Sequence, residues 1–132
     1  ILRYLAAKAK SPLYPADPAA RTQVERWMDW QLGNLNPVYM FMFRESKLEA
    51  DKRSADFAAQ VKQLGAELSI LDKRLAESPF LAGKELSIAD VCLAPIVARC
   101  LRFGVELPAL EHLRKWDAAM GAREAFKRAT AA

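Results

Sequence analysis

Apolar side chains recur at intervals of three and four along almost the whole chain, the period of helices that each turn one face to a core. No segment sustains the two-residue alternation of a half-buried strand. The pattern is cleanest where Phe57, Val61, Leu64, Leu68, Leu71 and Leu75 form one seam, which predicts a helix from about Ala55 to Glu77. Ser78-Pro79 ends it. An earlier helix starts at Asp17-Pro18, with the aspartate as N-cap and the proline at the first helical position. Its stripe of Val24, Met28, Leu35, Val38 and Met42 carries it to about Leu48. Pro37 lies inside that stripe and deletes the bond to the carbonyl of Gly33, so this long helix should kink near residues 33–37.

Leu86-Ser87-Ile88-Ala89-Asp90-Val91 spells a complete helix start. Ser87 serves as N-cap and Asp90, at N3, can reach back to the Ser87 amide, closing a capping box. Leu86 and Val91 should form the hydrophobic staple around it. The run that follows, from Val91 to Ala98, is apolar nearly all round, which predicts a central helix buried on every side and closed by Gly104. Pro108 should open a further helix carrying Leu110, Leu113, Trp116 and Met120, and Gly121 should separate a last short helix containing Phe126. At the other end Ile1, Leu2, Tyr4 and Leu5 keep helical spacing without any cap, so the chain is expected to begin inside a helix. Ser11-Pro12-Leu13-Tyr14-Pro15 reads as an extended linker. The elements add up to an all-α bundle of roughly five helices.

Composition narrows the class. A chain of 132 residues, 52% hydrophobic, supports one domain with a sizeable core. No apolar run approaches the roughly 20 residues of a membrane span, and no secretory leader is read, so the cytoplasm is the expected compartment. Cys92 and Cys100 would lie about 12 Å apart along one helix, too far for a disulfide, and are expected to stay reduced. The net charge of +4 comes from short basic pairs such as Arg114-Lys115 and Lys127-Arg128, interrupted by acids. Such pairs do not make a nucleic-acid surface; an anionic small molecule is the milder reading of the charge. His112 is the only histidine and has no cysteine or carboxylate at ligand spacing, so no metal site is expected.

Four segments carry a family resemblance. They are Phe80-Leu81-Ala82-Gly83 followed by Leu86-Ser87-Ile88-Ala89-Asp90; Arg26-Trp27-Met28-Asp29-Trp30-Gln31 with Leu35-Asn36-Pro37; Leu107-Pro108-Ala109-Leu110 with Trp116 and Ala122-Arg123-Glu124-Ala125-Phe126; and Ile1-Leu2-Arg3-Tyr4-Leu5-Ala6. Together they resemble the C-terminal helical domain of a bacterial-type cytosolic glutathione transferase. The resemblance implies that residues 1–9 are the tail of the last helix of an absent thioredoxin-like domain, 10–17 a linker and 18–132 the helical domain. In that family the thioredoxin-like half binds glutathione, the co-substrate, and supplies the Ser, Tyr or Cys that engages its sulfur. No such catalytic residue is read in this chain, so alone it should be inactive while its parent is an enzyme of detoxification.

The resemblance assigns the helical domain two tasks: an apolar subsite for an electrophile, and part of a homodimer interface that includes the long helix. The chemistry served is glutathione conjugation or related peroxide or disulfide reactions. Asn36, Tyr39 and Phe43 fall at i, i+3, i+7 beyond the Pro37 bend and share one face. Their mixture of ring, hydroxyl and amide suits an aromatic or enone electrophile, with Met40 at the rim. Two blander readings stay open: Tyr39 and Phe43 packing against a neighbouring domain, and Asn36 satisfying backbone freed by Pro37. Arg99 and Arg102 either reach the same side or form surface ion pairs. Trp27 and Trp30 are read as core or subunit packing. The alternative function is a non-catalytic interaction module, of the kind found in translation factors and tRNA synthetases.

Overall fold

The computed structural model describes residues 1–131. Its helices are α1 (Leu2–Lys8), α2 (Pro18–Trp30), α3 (Asn36–Glu45), α4 (Phe57–Glu77), α5 (Ile88–Cys100), α6 (Glu111–Gly121) and α7 (Glu124–Thr130). There is no strand among the described residues. α2 and α3 form one rod joined through a π-helical turn at Gln31–Leu35. The expected break takes this form because of Pro37. Its ring would collide with the carbonyl four residues back, and it donates no hydrogen bond of its own. The turn just before it is widened, so that the Asn36 amide donates to the carbonyl of Gln31, five residues back. Gly33, on the outer side, meets nothing.

Asp17 caps α2, its carboxylate accepting from the Ala20 amide at 2.8 Å. The stripe Val24, Met28, Leu35, Val38 and Met42 is buried, as is the α4 seam from Leu64 to Leu75. α4 starts at Phe57, two residues later than its sequence pattern suggests, and Ser78 ends it. The linker is bonded into the bundle: the Leu13 carbonyl accepts from the Ile88 amide at 2.9 Å, and Tyr14 is buried.

α5 lies at the centre, touching α1, α2, α3 and α6. Ile88, Ala89, Leu93, Ala94, Val97 and Cys100 are inaccessible or nearly so. Burial does not extend to every side, however. Val91 is 39% exposed, and Cys92, Pro95, Ile96 and Ala98 are half-buried, so one apolar strip along the helix is only partly covered. Hydrophobicity alone does not distinguish a core position from an apolar wall.

The start of α6 departs most from expectation. Pro108 opens no helix. It lies flat on α4 opposite Gly65, where an added Cβ would come within 3.1 Å of the proline ring. The helix begins at Glu111, and the residue before it, Leu110, adopts a left-handed conformation (φ 51°, ψ 48°) that leucine takes only under constraint. No local side chain caps α6. The cap comes from another helix: Asp72 on α4 accepts from the Leu113 amide at 2.9 Å.

Candidate functional site

The capping box is complete and does more than cap. The Ser87 hydroxyl accepts from the Ala89 amide at 3.2 Å, and the Asp90 carboxylate accepts from the Ser87 amide at 3.0 Å. Asp90 is wholly buried and also accepts from the Leu81 amide at 3.0 Å and from Trp116 Nε1–H at 3.1 Å. One side chain thus ties together the loop before α5, the α5 start and α6. Burial holds the Asp90 carboxyl above the usual carboxylate range, against the pull of these hydrogen bonds. With every oxygen engaged and no solvent access, Asp90 is a structural clasp.

A cleft of about 840 Å³ opens at the other end of α5. Three rings line it: Phe43 from α3, Phe103 from the turn after α5, and Phe126 from α7. Gly104, at φ 72°, lets the chain reverse immediately after Phe103. Lys47, Arg99 and Arg102 lie among the rings. Tyr39 stands behind the wall, 7% exposed, its ring centroid 5.9 Å from Phe43 and 6.1 Å from Phe103. Its hydroxyl accepts from Arg99 Nη1 at 3.0 Å.

The four positions singled out from sequence therefore separate. Phe43 lines the cleft, while Tyr39 supports the wall and positions Arg99. Asn36 is half-buried and Met40 is 45% exposed, and neither borders the cleft. Of the two arginines, Arg99 joins Tyr39, whereas Arg102 pairs with Asp117 at 3.2 Å. Phe103 lies in the turn after α5, where periodicity stops, and Lys47, expected inside a helix reaching Leu48, lies in a turn because α3 ends at Glu45; neither had a signal in the pattern.

The remaining titratable groups are structural in their surroundings. Burial pushes the Cys100 thiol up to about 12 and raises that of Cys92. A thiol held protonated is a poor nucleophile. Tyr14 donates to Glu25, a hydrogen bond that raises the phenol above its ordinary value. His112 Nδ1 lies 3.6 Å from Asp72 Oδ2, beside the α6 cap. Among the described residues no group of three or more His, Cys, Asp or Glu side chains is placed to hold a metal ion.

The model of the glutathione S-transferase C-terminal domain family matches residues 35–124. Glutathione S-transferase GstB of Escherichia coli K12 is 29% identical over 97% of this chain and 63% of its own length. Disulfide-bond oxidoreductase YghU of the same organism is 30% identical over 97% of this chain and 46% of its own. The chain thus spans less than two thirds of either relative. Among solved structures, the theta class glutathione S-transferase of Xanthomonas axonopodis pv. citri with glutathione bound superposes with a TM-score of 0.92 at 33% identity, over all of this chain and 70% of that one.

Proposed function

Because the chain belongs to the glutathione S-transferase family through its C-terminal helical domain, we propose that it walls the electrophile subsite of a glutathione-dependent enzyme. The carrying observation is the cleft itself: Phe43, Phe103 and Phe126 converge on one space, backed by a buried Tyr39. Three converging aromatic walls suit the ring of a flat substrate. Glutathione, bound in the Xanthomonas relative, would be held and its thiol activated by a thioredoxin-like half, with residues 1–9 as the tail of that half's last helix and 10–17 as the connection. The name of YghU widens the reaction class to disulfide exchange alongside conjugation. Asn36 and Met40, off the cleft, would meet substrate only from the side of the other half.

The kinetic test uses the intact enzyme. Phe43→Ala is expected to raise the KM for the electrophile about tenfold, the worth of one lost ring contact, and to leave the KM for glutathione unchanged. Equal changes in both constants would make Phe43 a packing residue and remove the subsite. The homodimer is proposed across the long helix, where Leu32 is 63% and Met40 45% exposed. Sedimentation should show Leu32→Glu shifting the protein toward monomer; an unchanged mass would place the interface elsewhere. Two free thiols, one buried and one half-buried, accord with the reducing cytoplasm.

A further inference from the structure

The cleft between α3, α5 and α7 carries a charge pattern that an apolar pocket does not need. Its lining contains Lys47, Arg99 and Arg102 and no aspartate or glutamate. The three cations are not equivalent. Arg102 is already engaged, paired with Asp117 and donating to the Ala98 carbonyl. Arg99 has no carboxylate partner among the described residues, and its side-chain hydrogen bond goes to a neutral phenol, Tyr39. Lys47 forms no ion pair among the described residues either; its ammonium stands 3.9 Å from the centroid of the Phe43 ring. Two uncompensated cations thus border three aromatic rings.

The arrangement is also held in place. Tyr39 is wedged between Phe43 and Phe103, so its hydroxyl is a fixed anchor for the Arg99 guanidinium, whose centre lies 5.9 Å from the Phe43 ring centroid. One nitrogen of the guanidinium is committed to Tyr39, and the others are free to donate. A guanidinium so oriented loses less freedom on meeting an anion and can bind it through two parallel N–H bonds. The geometry points to an aromatic ligand bearing a carboxylate or sulfonate as the class this cleft prefers over neutral analogues, with Arg99 as the specificity-determining residue. The ring would stack among Phe43, Phe103 and Phe126 while the anion meets Arg99 and Lys47. This preference rests on the cleft being the electrophile subsite proposed above.

Naphthalene-2-sulfonate and naphthalene-2-methanol share a ring system and differ in charge, so calorimetric titration of each into the chain separates the two claims. The sulfonate is expected to bind about tenfold more tightly, the worth of one charge-assisted hydrogen bond. Added salt should narrow that gap. Arg99→Met should narrow it at least about threefold, with Lys47 alone left to meet the anion, and Tyr39→Phe, which keeps the ring but removes the anchor, should narrow it less; a gap unchanged in Arg99→Met would overturn the role of Arg99. Phe126→Ala should weaken both probes. Equal affinities for the two probes, both weakened by Phe126→Ala, would overturn the charge preference and leave the cleft standing. Failure of both probes to bind, or binding indifferent to Phe126→Ala, would remove the cleft and the preference together.

Discussion

Two adjacent helices in this bundle begin in opposite ways. α5 carries its own start: Ser87 and Asp90, three residues apart, satisfy the first free amides of the helix they belong to. α6 borrows its start. Leu110 is forced left-handed, no local side chain caps the helix, and Asp72, 41 positions earlier on α4, reaches across to the Leu113 amide. The first kind of start can form as soon as the local chain turns. The second exists only after α4 and α6 have docked. Both starts rely on one buried or half-buried carboxylate, and both carboxylates pin α6, since Asp90 also receives the Trp116 indole. A capping residue is defined by the amide it meets, not by its distance along the chain.

That contrast can be broken most severely at Asp90. Asp90→Ala leaves the Leu81 and Ser87 amides and the Trp116 indole without an acceptor in the core, and should cost about 3–5 kcal/mol in denaturant titration. A loss under 1 kcal/mol would show that water replaces the carboxylate and that the clasp is dispensable. Asp72→Ala removes one cap bond at a partly exposed site and should cost about 1–2 kcal/mol. Hydrogen exchange should quicken in the first turn of α6 while α5 stays protected; equal quickening in both would erase the distinction between a local and a borrowed start.

Between these two results lies a measure of how much the sequence discloses. Ser87 and Asp90 were legible because a capping box is written at fixed spacing, and the α4 seam because burial on one face imposes a period. The role of Asp72 was not legible. An aspartate on a helix surface carries no mark of the foreign amide it will meet. Gly65 was silent for the same reason, since only the docked Pro108 ring shows why a side chain is absent there. At the candidate site, Tyr39 and Phe43 were found by their shared face. Periodicity could not tell that Tyr39 would stand behind the wall, or that Phe103 and Lys47 would join it from turns.

The smallest effect is expected at the far end of α5. Cys100 is fully buried and its thiol is pushed up to about 12 from an ordinary 9.0. Between those values the folded thiol keeps a proton that the unfolded one loses, so this group favours unfolding increasingly as pH rises from 9 toward 12, and has no effect near neutrality. Iodoacetamide at pH 8 should therefore leave Cys100 unmodified in the native protein and label it once denaturant unfolds the chain, read by mass spectrometry. Labelling under native conditions would mean that the C-terminal end of α5 opens far more often than its packing implies.

The order of elements, the long rod interrupted before Pro37, the seam of α4 and the self-made start of α5 were all determined by the sequence alone, because each depends on interactions within a few residues or on a repeating period. Tertiary structure decided the rest: the left-handed Leu110 and its borrowed cap, the partly covered strip on α5, and the union of Phe43, Arg99, Phe103 and Phe126 around one space. Those features join positions far apart in the chain, and residues that meet only through packing leave no local pattern to read.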